Sequence, residues 1–281
     1  MGMQPGQPSL TALGAAHLRA AHQVLDGASI LADPLAARIL GPDNEASLDH
    51  AHAHPSGPRL RWFIAARSRI AEDALNVAVE KGACQLVVLG AGLDTLAYRT
   101  DLAGRLRIFE IDHPATQAWK RDKLAAAAIA VPDTLAFVPI DFERQTLADA
   151  LGASGFDHDA RTFFSWLGVV PYLTEQAVFS TLALIAGLPG GGEVVFDYVN
   201  PAASIAPAGR LAHQTLADRV AAVGEQIRSY FDTERLRAEL SAIGFGHVDD
   251  IGPERLAARF FPEVERSAPA RGGHIMHAAA V

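Results

Sequence analysis

Gly90, Gly92 and Asp112 raise the first chemical question. The glycines stand in VVLGAGLDT, where a short apolar run ends, and Asp112 closes a second apolar run, Leu106 to Ile111, about 20 residues later. Glycine has no Cβ and adopts positive φ freely, so a backbone that turns on glycines can come close to a ligand. In a parallel β-α-β unit an acid at the end of the second strand falls beside that turn, where its carboxylate can accept from two ribose hydroxyls. Cys84 to Asp112 therefore reads as a nucleoside-binding corner. A dinucleotide fingerprint has a third glycine, and Thr95 occupies its position. The following helix then packs less closely and the case for a pyrophosphate weakens. A ligand without phosphates fits better; the alternatives are a protein that keeps the nucleoside pocket without catalysis and, less favoured, a nicotinamide-dependent oxidoreductase.

The elements that must position these residues follow from periodicity. Thr11 to Leu40 is expected to be helical, with Asp33-Pro34 as an internal helix start and Gly41-Pro42 as the stop. Residues 41–58 read as a loop whose His50, His52 and His54 alternate; without a rigid frame or a carboxylate pair the expectation is a solvated loop and no metal. Arg59 to Val79 is a long helix carrying Arg67 just upstream of the first strand. After Asp112 come a helix from Ala115, a strand Leu135 to Ile140 ending at Asp141-Phe142, and a strand Arg161 to Leu167. Asp141-Phe142 could bracket an adenine or simply cap a helix. A helix from Thr174, a strand Glu193 to Tyr198, a helix capped by Asp232 and strands Gly246 to Ile251 and His274 to Val281 complete the series. Alternating strands and helices predict a mostly parallel, doubly wound sheet of about seven strands, with ligands at the carboxyl ends of the strands. Between Asn200 and Ser229 the alternation lapses, which reads as a lid.

Composition narrows the class. The 281 residues suit one α/β domain with an elaboration, and 49% hydrophobic and 20% charged residues are ordinary for a globular protein. A net charge of −8 without clustered Lys and Arg argues against nucleic acid. No apolar run reaches the roughly 18 residues of a membrane span and the start lacks a leader pattern, so the expected location is the cytoplasm. The single cysteine, Cys84, opens an apolar strand and reads as a buried thiol.

Several stretches then resemble one family. LVVLGAGLDTLAYR, FEIDHPATQAWKRDKL, VPIDF and RSYFDTERLRAELSAIGF, with RAAHQVLDGASILADPLAARILG upstream, resemble the leucine carboxyl methyltransferase family and its bacterial branch of polyketide-type O-methyltransferases, over about residues 17–261. The resemblance implies a class I methyltransferase, Rossmann-like, over 1–281: a helical cap at 1–80, a core at 81–198 and 231–281, and a lid insertion at 199–230. It implies S-adenosyl-L-methionine as cofactor. Arg67 would pair with the methionine carboxylate, Gly90 and Gly92 would admit the cofactor, and Asp94 would lie in the same turn. Asp112 would hold the ribose, and Asp141 with Phe142 the adenine. The implied acceptor is a carboxylate or hydroxyl on a small molecule. His113, Tyr172, Asp197 and Tyr198 are the candidates at the acceptor edge. One position departs: Leu167 stands where the family frequently carries glutamate, and that role is not carried over.

Overall fold

The computed structural model describes residues 9–53, 58–141, 145–204, 226–260 and 273–280. They form an α/β fold with seven strands, as periodicity predicts. The chain divides into two compact units, residues 2–157 and 158–281, the latter counted with Met1.

The first unit opens with helices. Ser9 caps α1 (Leu10–Leu25), its Oγ accepting from the Ala12 amide at 3.1 Å. The helical stretch expected from Thr11 to Leu40, with an internal start at Asp33-Pro34, is interrupted: residues 26–35 form turns before the short α2 (Ala36–Leu40). Competing side-chain bonds end α1. Asp26 accepts from Arg61 Nε at 2.6 Å and Trp62 Nε1 at 2.9 Å, and His22 Nε2 accepts from the Ile30 and Leu31 amides at 3.3 Å. The expected histidine loop contains a helix, α3 (Ser47–Ala53), which carries His50 and His52, while His54 lies outside the described residues. Its periodic signal is small: Ala51 packs with Leu18, Ala21 and Ile64, and His50 stacks on His17. Among the described residues no group of three metal-ligating side chains comes together.

α4 (Pro58–Glu80) leads to β1 (Gln85–Leu89), whose five residues are all buried, as in a parallel strand covered on both faces. Cys84 is exposed, contrary to expectation, because the strand starts one residue later and the turn at 81–82 is open to solvent. The single-turn α5 (Leu96–Arg99) is followed by β2 (Arg107–Asp112), α6 (Pro114–Ala126), β3 (Leu135–Pro139) and α7 (Leu147–Ala153). β1 pairs with β2 and β2 with β3, both parallel. The register sets Leu89 opposite Ile111, so Gly90, which follows β1, and Asp112, the last residue of β2, share one edge.

In the second unit β4 (Thr162–Trp166) runs parallel to β5 (Gly192–Val199). β7 (Gly273–Ala279) runs antiparallel to β5 and also to β6 (His247–Ile251). Helices α8 (Glu175–Ala186) and α9 (Thr233–Ile243) are capped by Thr174 and Asp232, and α10 (Pro253–Phe260) follows β6. Among the described residues no helix is long and apolar enough to cross a membrane.

The Asp26 cluster gives a first prediction. Burial raises this carboxyl, but hydrogen bonds from Arg61, Trp62 and His22 outweigh it and bring the group down to about 2 from 3.8. A depressed carboxyl stabilises the fold above its unfolded value, and that contribution is lost as pH falls through the folded value. Asp26→Asn is expected to cost about 2 kcal/mol at pH 7. In urea unfolding the difference from the parent should shrink between pH 4 and pH 2. A difference that does not change over that range would contradict the assignment.

Candidate functional site

The glycine turn is built from backbone bonds before any side chain acts. The Gly90 and Ala91 amides donate to the Ile111 carbonyl at 2.8 and 3.1 Å, which folds the chain back over the end of β2. Gly90 has φ +67° and Gly92 φ +43°, the left-handed region open to glycine at little cost. A Cβ on Gly92 would lie 3.1 Å from the Ala12 Cβ, so α1 sits directly against this turn.

Asp112 ends β2 with both carboxylate oxygens engaged. Oδ2 accepts from the Gly92 amide at 2.5 Å and Oδ1 from the His113 amide at 2.7 Å. An ionised carboxylate has about four lone-pair sites, so each oxygen keeps one for a ligand hydroxyl. Burial raises the Asp112 carboxyl, and the two amides pull it back. Asp94 lies in the same turn and accepts from the Leu96 amide at 2.7 Å; burial raises its carboxyl, but Arg19, Lys120 and Arg99 outweigh this and leave it lowered. Asp141 follows β3 next to this edge, since the Ile140 amide donates to the Asp112 carbonyl at 2.9 Å. Its carbonyl accepts from the Gln145 amide at 2.9 Å. Phe142 lies outside the described residues. Arg67 is carried half-buried by α4. The fold thus brings Gly90, Gly92, Asp94, Asp112 and Asp141 to the carboxyl edge of β1, β2 and β3.

Behind the turn is a charged layer that sequence reading missed. Asp33, 1% exposed, accepts from Thr95 Oγ1 at 2.6 Å and lies 2.9 Å from Arg19 Nε. Arg19 also donates to the Leu93 carbonyl, and Arg99 bonds both Thr95 Oγ1, at 3.1 Å, and the Glu72 carboxylate. Lys120, buried on α6, reaches Glu110 Oε1 at 2.8 Å, and the Tyr98 hydroxyl donates to the other Glu110 oxygen at 2.8 Å. One signal was available for Lys120: with Thr116, Gln117 and Leu124 it forms the buried stripe of α6 at helical spacing.

The acceptor-edge candidates have definite surroundings. His113 caps α6, its Nδ1 accepting from the Ala115 amide at 3.2 Å. Tyr198 is 1% exposed, and its hydroxyl bonds Thr233 Oγ1 at 2.9 Å and Asp250 Oδ1 at 2.8 Å. Burial, followed by the charge of Asp250, pushes that phenol far up, so it stays a protonated donor. Tyr172 is half-buried in a single turn of 3-10 helix, Val170–Tyr172, after β4. In the second unit Asp197 repeats the arrangement of Asp112: from near the end of β5 its Oδ1 accepts at 2.5 Å from the amide of Gly168, which has φ +74° and follows the neighbouring strand β4. Of the stretch 199–230 that the sequence suggests as a lid, residues 205–225 lie outside the described set; near its end the Arg228 amide and Ser229 Oγ donate to the Pro171 and Val170 carbonyls at 2.7 and 3.0 Å.

Comparisons with known proteins identify the family. The leucine carboxyl methyltransferase family profile matches residues 12–186. YktD of Bacillus subtilis (strain 168), which carries the name of an S-adenosyl-L-methionine-dependent methyltransferase, is 35% identical over 198 residues. That match covers 70% of this chain and 65% of YktD, just under two thirds of the relative. A protein of Mycobacterium avium (strain 104) named for the same activity is 31% identical over 240 residues, 80% of this chain and 78% of that one. A solved structure of a Bordetella parapertussis protein shares the fold, with TM-score 0.50, 15% identity and 99% of both chains covered. By its profile match and these relatives, the chain belongs to the leucine carboxyl methyltransferase family.

Proposed function

We propose that the protein is an S-adenosyl-L-methionine-dependent methyltransferase that methylates oxygen, a carboxylate or a hydroxyl, on a small molecule. The observation that carries the cofactor assignment is Asp112. It is held by two backbone amides at the end of β2, beside glycines at positive φ, with one lone pair on each oxygen left for the ribose hydroxyls. Thr95 fits a ligand without phosphates, since its hydroxyl is committed to Asp33 where a dinucleotide fold would need a glycine. On this reading Arg67 takes the methionine carboxylate, for which a guanidinium fork is suited, Asp94 lies beside the bound group, and Asp141 and Phe142 take the adenine.

When bound, the cofactor supplies a methyl already activated on a sulfonium, so the chain's task is to align the acceptor and exclude water. A carboxylate acceptor is ionised at neutral pH and needs no base, whereas a hydroxyl acceptor does. Leu167 puts an apolar side chain in the turn after β4, and Asp197 is bonded to that turn through the Gly168 amide. That favours a second reading, a protein that binds the cofactor and does not turn over.

The test is calorimetry on the full chain with S-adenosylmethionine, S-adenosylhomocysteine and NAD, followed by assay of S-adenosylhomocysteine release with acids, phenols and alcohols. Saturable binding of the first two and turnover of at least one acceptor are expected. A thermal shift with NAD and none with S-adenosylmethionine would reverse the assignment in favour of an oxidoreductase. Normal cofactor affinity without turnover on any acceptor would support the binding-only reading.

A further inference from the structure

We propose that Asp33 and Thr95 are positioning residues through which the helical N-terminal region holds the cofactor turn in its binding shape; this rests on the cofactor reading above. The tripeptide Leu93-Asp94-Thr95 is gripped on both sides of its acid. On one side Arg19, from α1, donates to the Leu93 carbonyl. On the other, the Thr95 hydroxyl donates to Asp33 Oδ2 at 2.6 Å and accepts from Arg99 Nε at 3.1 Å. The two grips share one anion, since Arg19 Nε lies 2.9 Å and Arg99 Nε 3.5 Å from the Asp33 carboxylate. Asp33 is itself fixed: its amide donates to Gln23 Oε1 at 2.8 Å, and its Oδ1 accepts from the Leu35 amide at 3.0 Å. Arg99 is anchored in turn on Glu72 of α4.

The arrangement explains why a threonine occupies this position. In a dinucleotide fold the third glycine lets a helix pack close to the sheet. Here a single α-helical turn follows, Leu96–Arg99, and the hydroxyl at 95 ties the loop to Asp33 in the 26–35 turns, beside which lies Arg19 of α1. Thr95 is fully buried and the Asp33 side chain has no exposure, so neither can exchange its partner for water. A buried hydroxyl-to-carboxylate bond is charge-assisted, and removing one partner leaves the other unsatisfied. Gly92, two residues before Asp94, is already pressed against Ala12 of α1. The turn therefore has a binding shape only while α1 and Asp33 are in place, and by reciprocity ligand binding should steady those helices.

The test compares Thr95→Val, which keeps shape and loses the hydroxyl, with Thr95→Ser, which restores it. Affinity for S-adenosylhomocysteine should fall about tenfold to a hundredfold in Thr95→Val and stay within about threefold in Thr95→Ser. Asp33→Asn should behave like Thr95→Val. Hydrogen exchange on the parent protein is an independent measurement: saturation with S-adenosylhomocysteine should slow exchange in residues 34–40. If Thr95→Val binds as tightly as the parent while Asp112→Ala is weakened, the positioning role is wrong and the cofactor reading stands. If the parent itself does not bind, the cofactor reading fails and this inference with it. Should Thr95→Val not fold, unchanged exchange in residues 34–40 of the parent overturns the proposal.

Discussion

Asp112→Ala is expected to weaken S-adenosylhomocysteine binding at least a hundredfold, the scale of two charge-assisted hydrogen bonds at roughly 1.5–3 kcal/mol each. On the proposed reading the ribose loses its acceptor; the Gly92 and His113 amides lose theirs in any case. Asp112→Asn keeps one carbonyl acceptor and should fall between alanine and the parent. The pH dependence has a definite sign. Burial raises the Asp112 carboxyl, so in the unliganded protein its ionisation opposes folding, a cost relieved as pH falls through the raised folded value. Ligand binding on the proposed reading needs the ionised form. Acidification should therefore lower affinity, starting above the ordinary aspartate range near 3.8, in the interval where the unliganded fold is relieved. Calorimetry across that interval checks both statements. An alanine variant that binds within threefold of the parent would remove Asp112 from the site.

The corner at Asp112 was legible because its signal is local. Two apolar runs, a glycine turn and a strand-end acid each follow from side-chain chemistry within 29 residues of chain, and the register of β1 on β2 brings the pieces to one edge. The long helix at Arg59 and the caps at Thr174 and Asp232 were legible for the same reason. Missed features depend on partners distant in the chain. The helix expected through Asp26 to Leu35 is interrupted because Asp26 bonds Arg61 and Trp62, some 35 residues away. Charged residues on helices read as solvent-facing unless the partner is known, so Arg19 and Lys120 gave no hint of burial by type. Asp33 was read as a helix start, which is its local role through the Leu35 amide; its bond to Thr95 spans 62 residues. By motif position Thr95 signals only the absence of a glycine, whereas the structure uses its hydroxyl.

Lys120→Met is expected to cost about 3–5 kcal/mol of folding stability, the range for stranding one member of a buried ion pair. Lys120 and Glu110 are each 1% exposed, with Nζ 2.8 Å from Oε1. Nζ also lies 5.2 Å from the centre of the Tyr98 ring and 3.4 Å from the Ala91 carbonyl, so the pair sits directly beneath the glycine turn. Burial already raises the Glu110 carboxyl; Lys120 and the Tyr98 hydroxyl hold it back. Without the ammonium it rises further, and the variant folds best with Glu110 protonated. A raised carboxyl takes stability away as pH increases, so the deficit of Lys120→Met relative to the parent should grow from pH 5 to pH 8. Adding Glu110→Gln removes the stranded charge, keeps an acceptor for Tyr98 and should recover most of the loss. Urea unfolding of the parent, Lys120→Met and the double variant at both pH values gives the comparison, and a deficit below about 1 kcal/mol, or one that does not vary with pH, would show that the pair carries little. Lys120 is also among the charges that lower the Asp112 carboxyl, so its loss raises that group too. In Lys120→Met the acid-side loss of S-adenosylhomocysteine affinity should begin at higher pH than in the parent, which links the buried pair to the edge where the ribose is proposed to bind.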